Sequence, residues 1–134
     1  MSKERFTERQ AEFKQAAARL SEATAAPEGD IVRDAVIQRF EFTFELAWKT
    51  LKLYLEREGY ECGGPRGTFK KAFSAGIIRS REEADLWFRM LEDRNLTVHA
   101  YDQALALRIY RNIARDYAPL LSRMAESVQD LVWD

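Results

Sequence analysis

Apolar residues recur along this chain at helical spacing, and they divide it into five amphipathic stretches with no strand pattern between them. Phe6, Phe13, Ala17 and Leu20 make one stripe, with Arg9, Gln10, Glu12, Lys14, Gln15 and Arg19 on the other faces. The pattern predicts a helix from Lys3 or Thr7 to Ala25. Pro27-Glu28-Gly29-Asp30 ends it, and Asp30 is the expected cap of the next helix. That second helix, Ile31 to Glu58, is the longest, roughly 40 Å at the usual rise per residue. Val32, Val36, Phe40, Phe44, Ala47, Leu51 and Tyr54 form its seam. Phe42, Leu46, Trp48, Leu53 and Leu55 carry apolar surface onto further faces, more than a helix wet on one side needs. Central burial, together with a contact between subunits, accounts for the excess. Gly59 supplies the stop.

The segment from Glu61 to Thr68 holds two adjacent glycines beside Pro65. It matches neither nucleotide-binding glycine pattern and follows no strand, so it reads as an interhelical turn. Thr68 is the expected cap of a short helix, Phe69 to Ala75, that stops at Gly76. Ser80 and Glu83 have capping-box spacing and open a helix that presents Leu86, Trp87, Met90 and Leu91 and runs into Arg94. The last long helix starts between Thr97 and Asp102 and continues past Tyr117, with Leu105, Ile109, Ile113 and Leu120 inward. Pro119 is expected to kink it or end its regular part. The tail from Glu126 is open to fraying, against which Leu131, Val132 and Trp133 argue for docking. The expected fold is all-α: an antiparallel up-and-down bundle of four or five helices with one extra short helix, in a single domain spanning residues 1–134.

Composition narrows the function classes. With 134 residues and 46% of them apolar, there is enough material for a core. No run approaches the length of a membrane span, and Met1-Ser2-Lys3-Glu4-Arg5 is charged with no apolar stretch behind it, which argues against membrane and secretory readings. The single cysteine, Cys62, fits a reducing cytoplasm, and one Cys with one His cannot supply a usual zinc ligand set. The expectation is a cytoplasmic protein with no metal and no cofactor. Net charge is −1, so the surface as a whole does not attract nucleic acid. Charge is uneven, however. Arg66, Lys70, Lys71, Arg79 and Arg81 lie in a stretch without acids, and only acids follow Arg123. The stretch is either a local phosphate-binding patch or a solvated basic face.

Candidate chemistry concentrates at residues 94 to 101, which hold Arg94, Asn95, Thr97, Tyr101 and the only histidine, His99. Histidine exchanges protons near neutrality, and the guanidinium fork suits a phosphate. Five residues along an unbroken helix separate Arg94 and His99 by about 140°, so they converge only if the backbone breaks between them. Asn95 tolerates the left-handed conformation that ends helices, and Thr97 is a suitable cap for a new one. His99 would then occupy a helix first turn, where the dipole keeps its imidazole neutral. Tyr101, Arg108, Arg111 and Arg115 lie along one ridge of the final helix. The ridge either attracts a phosphate backbone or pairs with carboxylates on neighbouring helices.

Three segments carry a resemblance to a known family. They are Arg39 to Leu51 (RFEFTFELAWKTL), the Pro65-Arg66 turn before a short helix, and Asp93 to Tyr101 (DRNLTVHAY). With them the chain resembles the nucleotidyltransferase substrate-binding protein family, also called HepT-like, within the HEPN superfamily, over residues 5 to 122. The resemblance implies a HEPN-like helical bundle that dimerises through its long helices and is encoded beside a minimal nucleotidyltransferase. It implies a toxin–antitoxin pair in which the helical protein is a metal-independent RNase, silenced by AMP attached to a motif tyrosine. Arg94 and His99 then match the RNase motif, Tyr101 the AMP acceptor, and Asn95 the small polar place after the arginine. The alternative is a non-catalytic subunit in which the same residues bind nucleotide for the nucleotidyltransferase. Arg108, Arg111, Arg115, Arg66 and Lys70 are the candidate phosphate or RNA contacts.

Overall fold

The computed structural model describes residues 3–134; Met1 and Ser2, on which part of the N-terminal reading falls, lie outside the described residues. Six α-helices run in the order α1 (Lys3–Ala25), α2 (Asp30–Arg57), α3 (Pro65–Ser74), α4 (Arg81–Leu96), α5 (Gln103–Asn112) and α6 (Ala118–Gln129). A 3-10 turn at Thr97–His99 joins α4 to α5, and a π turn at Ile113–Tyr117 joins α5 to α6. There is no strand among the described residues, and the all-α expectation holds. No described helix is long and apolar enough to cross a membrane.

The second helix is the spine, as its sequence predicts. It packs against α1, α3, α5 and α6. An aromatic chain threads these elements together: Tyr117 stacks on Phe40 at 5.7 Å, Phe40 neighbours Phe44, Phe44 meets Phe69 edge-on at 5.8 Å, and Phe69 meets Trp87 at 4.9 Å. All five residues are essentially inaccessible to solvent. Each such pair contributes about 0.5–1.5 kcal/mol beyond burial of its area.

Several boundaries differ from the sequence reading, each for a local reason. Gly29, in extended backbone, is the cap of α2, while Asp30 is its first residue and pairs with Arg33 instead of capping. The third helix starts at Pro65, four residues before the expected Phe69, because the proline ring is preset for the first helical position. Thr68 is therefore inside the helix, its hydroxyl donating to the Gly64 carbonyl. Pro119 does not end the last helix. It sits in the first turn of α6, where a missing N–H is tolerated, and the preceding π turn absorbs the register change through a bond from the Ala118 N–H to the Ile113 carbonyl. The tail docks: Trp133 stacks on Phe6 at 5.2 Å, and the Arg57 guanidinium lies over it while donating to the Asp134 carbonyl.

Candidate functional site

The site is built where the last turn of α4 meets α2 and the C-terminal helices. Asp93 is buried and accepts three donors: the Tyr117 hydroxyl at 2.6 Å, Asn112 Nδ2 at 2.9 Å and Arg108 Nη2 at 3.4 Å. Asp116, next to Tyr117 in the π turn, reaches Arg89 on α4 at 3.4 Å. The π turn thus clamps α4 at two points. Burial, with the bond to Asp93, pushes the Tyr117 phenol well above its usual range.

Arg94 follows Asp93 and points toward α2. Its Nη1 donates to Thr97 Oγ1 at 3.0 Å and lies 3.3 Å from Glu41 Oε2. Its Nε is buried with no hydrogen bond and stands 3.9 Å from Glu45 Oε1. The Thr97 hydroxyl is 2.7 Å from the Arg94 carbonyl and 2.9 Å from Glu41, one proton serving either acceptor. Thr97 is therefore a buried tie between α4 and α2, not the cap of a new helix. That cap is Asp102, whose carboxylate accepts from the Leu105 N–H at 3.1 Å.

The expected left-handed break at Asn95 does not occur. No described residue other than glycine has positive φ, and α4 runs through Asn95 to Leu96. The chain turns because the Thr97 hydroxyl can satisfy the Arg94 carbonyl, after which 3-10 bonds run from Ala100 N to Thr97 O and from Asp102 N to His99 O. His99 thus precedes the next helix by several residues, and the dipole argument for it falls. His99 and Tyr101 are both exposed, with Nδ1 3.3 Å from the phenol oxygen and the rings edge-on. Within one protomer the turn brings together Arg94 with Thr97, and His99 with Tyr101. Arg94 faces α2 and His99 faces solvent.

The arginine ridge divides. Arg108 is held by Asp93, and Arg115 by Asp116 and Asn112. Arg111 lines a cavity of about 470 Å³ whose rim includes Tyr101. Arg66 lies over the Phe88 ring at 5.5 Å, and Lys70 is exposed on α3. Sequence reasoning missed Glu41, Asp93, Asn112 and Tyr117. A signal existed for Asp93, since it follows Met90 by three on the apolar face of α4, an acid at a core position that requires donors. Glu41 carries no such signal, because its partner lies 56 residues further on.

These features define an all-α bundle that presents an exposed histidine–tyrosine pair beside an arginine tied to its longest helix. The chain belongs to the nucleotidyltransferase substrate binding protein-like family, whose model matches residues 8–130. It is similar to a crystal structure of a Thermus thermophilus protein, with 41% identity, a TM-score of 0.75, and coverage of 87% of this chain and 95% of that one. It is also 30% identical over 92 residues to a protein of Haemophilus influenzae described as "probable ribonuclease HepT". That match takes in 62% of this chain and 61% of the relative, so the chain spans about three-fifths of that relative's length.

Proposed function

We propose that this chain is a metal-independent endoribonuclease that works as a homodimer and is silenced when a minimal nucleotidyltransferase attaches AMP to Tyr101, the two forming a toxin–antitoxin pair. The observation that carries the reading is the exposed pair of His99 Nδ1 and the Tyr101 hydroxyl, 3.3 Å apart. Similarity to a protein described as a probable ribonuclease supports the activity, and the family description supports the partner.

Cleavage proceeds by attack of a ribose 2′-oxygen on the adjacent phosphorus. The O2′–P bond forms, the P–O5′ bond breaks, and the products are a 2′,3′-cyclic phosphate and a 5′-hydroxyl. A base takes the 2′ proton and an acid gives one to O5′. One histidine per chain supplies one of these roles, and the second protomer supplies the other through its own copy. Arg94, its Nη1 tied to Thr97 and Glu41, offers its Nη2 donors to the phosphorane. Thr97 supports the turn that presents them.

Modification transfers an adenylyl group from a nucleoside triphosphate to the phenolic oxygen. Pyrophosphate leaves and the phenol proton goes to solvent. The added phosphate lies next to His99 and shares a cavity with Arg111, where its charge repels an RNA backbone. The second reading, a non-catalytic nucleotide-binding subunit, draws on the compensation of Arg94 by Glu41 and Glu45. Protein made with and without its nucleotidyltransferase decides between them. The reading predicts mass increments of whole AMP units on Tyr101, RNA cleavage that returns when phosphodiesterase removes them, and a Tyr101→Phe variant that cleaves whether or not the partner is present. Unmodified protein that leaves RNA intact removes the ribonuclease reading.

A further inference from the structure

A groove of about 730 Å³ runs between α1 and α2. Four cationic side chains line it, Arg9, Arg19, Arg39 and Lys49, against two carboxylates, Glu12 and Glu45. The balance is opposite in two other cavities: Glu58 and Asp130 outnumber Arg79 in one, and Glu28, Asp30 and Asp34 outnumber Arg33 and Arg111 in the other. On a chain of net charge −1, the local balance in this groove turns positive.

Phe42 stands in this groove with 61% of its surface exposed, in the middle of a helix whose other phenylalanines are fully buried. The ring shares the groove with four cations, three of which have a carboxylate partner. Arg9 pairs with Glu12 at 3.2 Å, Arg39 with Glu22 at 3.6 Å and Lys49 with Glu45 at 3.6 Å, while Arg19 lines the groove on the exposed face of α1. Surface pairs of this kind are weak and exchange readily for a phosphate. A positive groove with an accessible ring is the arrangement that holds single-stranded nucleic acid, phosphates on the cations and a base stacked on the ring.

The groove adjoins the motif through one shared side chain. Glu45 lines it and also stands 3.9 Å from Arg94 Nε, so a strand in the groove ends one side chain away from the candidate catalytic arginine. We infer that the α1–α2 groove is the seat of the single-stranded RNA substrate, with Arg19 as a phosphate contact and Phe42 as its stacking platform, in place of the subunit contact to which the sequence reading gave that ring. This rests on the ribonuclease reading for its substrate but uses residues outside the motif.

The test is fluorescence anisotropy with a labelled, 2′-O-methylated single-stranded RNA of roughly a dozen nucleotides, which binds without offering an attacking hydroxyl. Phe42→Ala is expected to weaken binding about tenfold, a typical loss for one stacked base. Arg19→Gln is expected to reduce the slope of log affinity against log salt by about 0.7, the value for one phosphate on a single strand. Arg123→Gln, exposed on α6 and outside the groove, leaves both unchanged. Unchanged binding in Phe42→Ala and Arg19→Gln overturns the inference, even if wild-type protein cleaves RNA. A change of sedimentation behaviour in Phe42→Ala that accounts for its lost affinity also overturns it, because the ring then belongs to a protein contact. Groove-dependent binding by a protein that never cleaves RNA leaves the groove standing and removes the ribonuclease reading.

Discussion

Asp93 shows how much can depend on one side chain next to the motif. It sits in the core with its charge met by three donors, the buried Tyr117 hydroxyl among them. Asp93→Ala takes the acceptor away from that hydroxyl and is expected to cost about 3 kcal/mol of stability, read from urea unfolding. Tyr117, Tyr54 and Cys62 are all raised above their ordinary values, burial being the largest cause in each. These groups ionise more readily in the unfolded chain, so their contribution is fully present at neutral pH. It is lost as pH climbs past the ordinary thiol and phenol values of 9.0 and 10.0. Unfolding free energy should therefore fall on the alkaline side, and Tyr117→Phe should flatten part of that slope. The sequence placed Arg94, His99 and Tyr101 together because they are neighbours in the chain. It was silent on which way Arg94 turns, since that is decided by Glu41 on another helix.

At the scale of elements, the helices were legible wherever an apolar stripe had a strong terminator. Gly59 and Gly76 both adopt the left-handed backbone that stops a helix, and Ser80 accepts from the Glu83 N–H as its spacing predicts. The turn before α3 was legible as a turn, but its tight fit was not. A Cβ at Gly67 would stand 1.9 Å from the Cys62 carbonyl oxygen, a backbone atom that cannot swing aside. Gly67→Ala is accordingly expected to destabilise the protein by about 2 kcal/mol or more, measured by thermal or urea unfolding. The π turn left no mark in the sequence beyond Pro119. Its extra residue is held by tertiary contacts, Tyr117 on Asp93 and Phe40, and those depend on how α4 and α2 lie.

At the scale of the whole molecule, the proposed chemistry asks for a pair of chains. If base and acid come from two protomers, subunit exchange between wild type and His99→Ala at equal amounts should leave about one quarter of the activity, because only the wild-type pair carries both groups. A protomer that works alone retains half. The bundle itself was readable from periodicity, since an aromatic-rich helix with apolar residues on several faces has to lie at the centre. The groove between α1 and α2 was not, because it is made by two helix faces that only the fold sets side by side. The ribonuclease claim meets its most direct test in protein free of AMP by intact mass, incubated with RNA in EDTA. The account predicts cleavage to 2′,3′-cyclic phosphate and 5′-hydroxyl ends, abolished in His99→Ala. RNA left whole by the unmodified wild type, or cut equally well by His99→Ala, would contradict it.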